Sequence, residues 1–128
     1  MTYGLTHLAI AVNDIHRTLQ FYKHIFGMEV MYMTDEMLQL TTPGCHDVVV
    51  FEKRDAHLIG SRGGIAHFGF RLRKPADIDN IVARINDMNA EILEKGEFVP
   101  GSPYIFFRDP DGYILEVWYE LDVIADQP

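Results

Sequence analysis

Bulky apolar residues stand at alternate positions in Leu8, Ile10 and Val12, and again in Phe68, Phe70 and Leu72, which is the pattern of strands buried on one side. In the first segment, Leu5 to Val12, the opposite face carries Leu5, His7, Ala9 and Ala11; in the second, Ile65 to Leu72, it carries Ile65, His67, Gly69 and Arg71. The bulky faces are the ones a helix should cover, so both histidines should point away from it. The two segments align without a gap, Leu5 against Ile65, 60 positions further on.

The match continues beyond the strands. Asp14 is placed to cap a helix whose apolar stripe is Ile15, Leu19, Tyr22 and Phe26, with Gly27 as its left-handed stop. Asp77 caps a second helix with the stripe Ile78, Ile81, Val82, Ile85 and Met88, ending near Asn89. Gly27 to Val30 corresponds to Asn89 to Ile92, each opening a further strand. Two more strands follow in each half, Met37 to Leu40 and Asp47 to Lys53, then Tyr104 to Phe107 and Tyr113 to Tyr119. Thr42-Pro43-Gly44 and Asp109-Pro110-Asp111-Gly112 supply the reversals. The spacing predicts an α+β fold of two βαβββ modules, residues 3–57 and 64–120, joined through the Gly-rich stretch Leu58 to Gly64 and followed by a loose tail, 121–128.

Composition narrows the setting. A chain of 128 residues, 48% hydrophobic, suits a single domain with one core. Cys45 is the only cysteine, so neither a disulfide nor a thiolate metal site can form within one chain, and a reducing cytoplasmic location is expected. The start of the chain lacks the pattern of an export signal, and no apolar run approaches the roughly 20 residues of a membrane span. With a formal charge of −8 and no basic run, binding to nucleic acid or to an anionic membrane is not expected.

Strand parity puts a carboxylate on the histidine-bearing side of each half: Glu52, after Val48 and Val50, and Glu116, between Ile114 and Trp118. A carboxylate in such apolar company needs a metal, a basic partner or a wet face. His7 and His67 hold equivalent places in a repeat, and each is followed by such a Glu, which points to a metal. Two imidazoles with one or two carboxylates and no thiolate suit one divalent ion, Zn, Ni, Co, Mn or Fe(II), with positions left open for water or substrate.

These residues resemble the vicinal oxygen chelate superfamily, which includes glyoxalase I, methylmalonyl-CoA epimerase, extradiol dioxygenases, fosfomycin resistance thiol transferases and bleomycin resistance proteins. The resemblance is carried by LTHLAIAVNDIHRTLQFYKHIFGMEV, GGIAHFGFRL and FFRDPDGYILEVWYE, and covers nearly the whole chain. It implies a cupped, partly closed sheet with helices on the convex face, a metal held by His7, His67 and Glu116, and Glu52 near a fourth ligand position. Phe51 competes with Glu52 for that position in the alignment, and parity favours Glu52.

Subfamily residues then sort the chemistry. Extradiol enzymes usually carry a Tyr three residues before the Asp of DPDG and a His upstream; here the position is Phe106, and Glu97 to Ser102 holds no His. Fosfomycin transferases carry a Thr two residues past the first His, here Ala9, and a Tyr where Phe106 stands. What remains is a glyoxalase-like lyase or isomerase acting on a small oxygen-chelating substrate through a metal-stabilised enediolate, with Glu52 or Glu116 as the proton-carrying catalytic group. The substrate-binding candidates are Arg71, Tyr104, Phe106 and Trp118. Arg71 could hold an anionic group or merely form a rim ion pair, and Tyr104 could line the cavity mouth, act as an acid or simply pack. The alternatives are a binding protein of the bleomycin resistance type, or a dioxygenase or thiol transferase on the same fold. The resemblance also implies a homodimer; with modules exchanged, His7 would come from one chain and His67 with Glu116 from the other.

Overall fold

The expected βαβββ order occurs twice in the computed structural model, which describes residues 1–55, 57, 59, 60 and 64–121. The elements are β1 (Leu8–Val12), α1 (Ile15–Phe26), β2 (Glu29–Met33), β3 (Met37–Thr41), β4 (Val49–Lys53), β5 (Phe68–Arg71), α2 (Asp77–Asp87), β6 (Ile92–Glu97), β7 (Pro103–Arg108) and β8 (Ile114–Trp118). Much of the expected joint (Leu58 and residues 61–63) and the tail from residue 122 lie outside the described residues. The eight strands form two separate four-stranded sheets, ordered β1-β4-β3-β2 and β5-β8-β7-β6, and neither closes on itself. In each, the first strand pairs in parallel with the last, and the other pairings are antiparallel. Two compact units result: Met1–Gly64 with Pro110–Gly112, and Ile65–Asp109 with the chain from Tyr113 onward.

In the first unit, Ile10, Val12, Leu38, Leu40 and Phe51 are buried on one face of the sheet, with the Phe51 ring 4.7 Å from that of Tyr22 on α1. Asp14 caps this helix by accepting from the backbone N–H of Arg17 at 3.1 Å, and Gly27 ends it at φ 66° while its N–H reaches the carbonyl of Lys23. The buried stripe is Ile15, Thr18, Phe21, Tyr22 and Ile25, with Leu19 and Phe26 at its margins. The expected stripe is thus rotated by a fraction of a turn, with Thr18 and Phe21 taking buried places beside Ile15, Tyr22 and Ile25.

In the second unit, Ile105, Phe107, Leu115 and Val117 are buried together with Ile78, Ile81 and Ile85 of α2. Asp77 is the first residue of this helix and not its cap. The cap position is Ala76, which makes no side-chain bond, and the N–H groups of Asp77, Ile78 and Asp79 are met by the carbonyls of Lys74, Pro75 and Ala76 in a tight turn. Asp77 and Asp79 then act on the helix dipole from within the first turn.

Both first strands are shorter than alternation suggests. Pairing starts where the N–H of Leu8 meets the Val48 carbonyl, and at Phe68 opposite Leu115. His7 and His67 therefore sit just before their strands. The edge strands β2 and β6 each carry a register break at the same place in the repeat, between Val30 and Tyr32 and between Ile92 and Glu94. In the DPDG turn, Asp109 accepts from the N–H of Tyr113 at 3.0 Å and Gly112 takes φ 89°. Asp111, grouped with the first unit, accepts from the N–H of Asn13 at 3.0 Å and from Arg17 Nη2 at 2.9 Å. Among the described residues, no helix is long and apolar enough to cross a membrane.

Candidate metal centre

Alternation along β8 sends Leu115 and Val117 into the core and leaves Ile114, Glu116 and Trp118 on the face away from α2. On this open face the Oε1 of Glu116 lies 3.8 Å from Nε2 of His67; the carboxylate side chain is 16% exposed and the imidazole 44%. That separation is too long for a hydrogen bond. Two ligands of one ion, each bound at about 2.1 Å, stand roughly 3.0 Å apart at right angles and about 4.2 Å apart when opposed, so 3.8 Å falls within the range a shared metal allows.

The strand beside Glu116 is cut to fit. Gly69 is its register partner, and a Cβ there would come within 2.9 Å of the Glu116 carbonyl oxygen and 3.5 Å of Oε1. The absent side chain leaves the carboxylate its room. On the other flank Phe106, paired with Glu116 from β7, meets the His67 ring edge-on at 5.4 Å. Ala66, His67, Leu93, Glu94, Phe106 and Ile114 line an open pocket of about 360 Å³.

The remaining candidates fall as follows. Glu52 lies on the open face of the first unit, between Ala11 and Met37 in register, while Phe51 is wholly buried on the helix face, as parity requires. Its carboxylate is engaged at 2.5 Å by Arg54, two residues on and on the same face by alternation. His7 is exposed and its Nδ1 lies 2.7 Å from the Thr6 hydroxyl. When that hydroxyl accepts, Nε2 carries the lone pair a metal needs. His16, His24, His46 and His57 are exposed. No group of three or more His, Cys, Asp or Glu side chains able to hold a metal forms among the described residues. The pair His67 and Glu116 is the part of the expected ligand set that one unit brings together.

Arg71 is exposed at the edge strand β5, opposite Trp118. Tyr104 donates its hydroxyl to Glu94 Oε1 at 2.9 Å, and that bond to a carboxylate holds the phenol pKa above its ordinary value. Tyr104 also stacks on Phe98 at 4.0 Å, and Phe98 meets Trp118 edge-on at 5.7 Å. Glu94, Leu93 and Phe98 are the pocket-side residues that sequence reasoning missed. Plain alternation from Ile92 would send Glu94 to the helix face; the register break turns it to the open face, opposite Phe106.

Three known proteins give this geometry its context. Metallothiol transferase FosB of Shouchella clausii is 29% identical over 119 residues, covering 91% of this chain and 80% of that one. Catechol-2,3-dioxygenase of Bacillus subtilis is 26% identical over 96% of this chain, which spans only 42% of its length. The crystal structure of the fosfomycin resistance protein FosX from Listeria monocytogenes, complexed with Mn(II) and sulfate, superposes with a TM-score of 0.78 at 21% identity, over 95% of this chain and 94% of that one. The two sequence relatives are a thiol transferase and a dioxygenase, and the FosX structure shares the fold of this chain. The family model for the Glyoxalase/Bleomycin resistance protein/Dioxygenase superfamily matches residues 4–117, and the chain belongs to that superfamily.

Proposed function

We propose that the protein is a divalent-metal-dependent enzyme acting on a small molecule that presents two neighbouring oxygens. The observation that carries this reading is the 3.8 Å approach of His67 Nε2 to Glu116 Oε1 beside a pocket open to solvent. His67 and Glu116 would hold the ion, with His7 as a further ligand by family resemblance, from the same chain or from its dimer mate. A bound ion supplies Lewis acidity toward a substrate oxygen and leaves proton transfer to the side chains. Phe106 meets the histidine ring edge-on from one side and offers an apolar wall to the substrate body.

Within this frame the reaction is a glyoxalase-like isomerisation or lyase step, in which a carboxylate moves a proton next to a carbonyl. Glu116 is the better placed of the two carboxylates for that task, since Glu52 must first part from Arg54. A second reading, transfer of a thiol to a small oxygen-bearing electrophile, is favoured by the likeness to metallothiol transferase FosB, and disfavoured by Ala9 and Phe106. A homodimer and a cytoplasmic location belong to the same proposal, the latter on the strength of the single exposed Cys45.

Elemental analysis of the purified protein and of four single variants tests the metal. Near-stoichiometric divalent metal is expected in wild type and in Glu52→Ala, with losses of tenfold or more, about the scale of removing one ligand, in His7→Ala, His67→Ala and Glu116→Ala. Full retention of metal by His67→Ala and Glu116→Ala would overturn the assignment. Deuterium uptake from solvent into 2-oxo thiol adducts or acyl-CoA thioesters supports the isomerase reading; consumption of fosfomycin with an added thiol, without such uptake, replaces it by the second.

A further inference from the structure

The register break at Leu93 puts Glu94 at the end of a row that crosses the second sheet: Glu94 on β6, Phe106 on β7, Glu116 on β8 and Gly69 on β5. Neighbouring strands lie roughly 4.8 Å apart, so the Glu94 backbone stands roughly 10 Å from that of Glu116, with the Phe106 ring between them. A molecule whose oxygens sit at Glu116 and His67 and whose body lies over Phe106 meets Glu94 at its far end. That carboxylate is oriented: Tyr104 donates to it at 2.9 Å, and the tyrosine ring is itself fixed by its stack on Phe98.

We propose that Glu94 is a specificity residue, and that the pocket takes oxygen-chelating molecules with a flat or short body whose distal end carries an ammonium or another strong hydrogen-bond donor. The proposal rests on the metal reading above and adds the substrate class to it. A distal cation gains a charge-assisted bond to Glu94 and the faces of Phe106 and Tyr104 nearby. A distal carboxylate, phosphate or phosphonate meets a like charge. The arginines on this face do not reverse that sign near Glu94: Arg71 stands on β5 at the opposite edge of the sheet, and Arg108 pairs with Glu91 at 3.4 Å. Tyr104 is a positioning residue, acting through Glu94.

Calorimetric titration of the Mn(II)-saturated protein with three catechols that differ in the charge of the ring substituent, dopamine, 4-methylcatechol and 3,4-dihydroxyphenylacetate, tests the proposal. Dopamine should bind about tenfold tighter than the acid, with the neutral probe between, a spread set by one partly exposed charge. In Glu94→Gln the spread should shrink to about twofold while affinity for 4-methylcatechol is unchanged; Tyr104→Phe should fall between. Manganese uptake is read separately by electron paramagnetic resonance. Failure of uptake sinks the metal reading and this proposal with it. Uptake followed by no binding of any probe, by preference for the acid, or by a dopamine preference that survives in Glu94→Gln, sinks the proposal alone.

Discussion

A methyl group at residue 69 would collide with the carbonyl oxygen of Glu116 at 2.9 Å, and that oxygen belongs to a paired strand that cannot give way cheaply. Gly69→Ala should therefore destabilise the protein by about 1–3 kcal/mol in denaturant titration, the usual range for overpacking, and weaken metal retention as the Glu116 side chain is displaced. Asp14 offers a pH-dependent test. The backbone N–H of Arg17 beside its carboxylate holds its pKa below the ordinary value, so its capping contribution is present above the unfolded carboxylate range and is lost as pH falls through the folded value. Asp14→Ala should lower the melting temperature at neutral pH, and its gap to wild type should close in acid. At this scale the meeting of His67 and Glu116 on one open face was legible, because residue type and strand parity coincide. Glu94 in the pocket was not, since it depends on a register break that carries no compositional mark.

Helix α1 and strand β4 meet through Phe51 and Tyr22, both without exposed surface. Phe51→Ala leaves a ring-sized void there and should cost about 3–5 kcal/mol, read from the denaturant midpoint at unchanged slope. Elements with strict alternation, such as β3, β7 and β8, could be read from the chain because each has one face in the core. The edges resisted. β1 and β5 begin later than the alternation from Leu5 and Ile65 suggests, and β2 and β6 each contain a break that flips parity part-way along. The helix starts divide in the same way: Asp14 caps α1 through its side chain, whereas α2 opens on a backbone turn after Pro75 and leaves Asp77 one place further in.

For the molecule as a whole, the offset of 60 residues between Leu5 and Ile65 anticipated two βαβββ modules, and the structure shows them as two separate sheets of identical strand order where one partly closed sheet was expected. What a repeat could not disclose is that the tip of the DPDG turn in the second half groups with the first unit, where Asp111 receives Asn13 and Arg17 from 98 and 94 positions away. Asp111→Ala should lower the melting temperature of the intact chain and speed amide hydrogen exchange at the start of α1. The same feature bears on dissection of the chain. A fragment cut before residue 109 would keep all of α1 and its sheet yet lose the acceptor that Asn13 and Arg17 use, so the helix would fray first at the end where its own Asp14 cap stands alone.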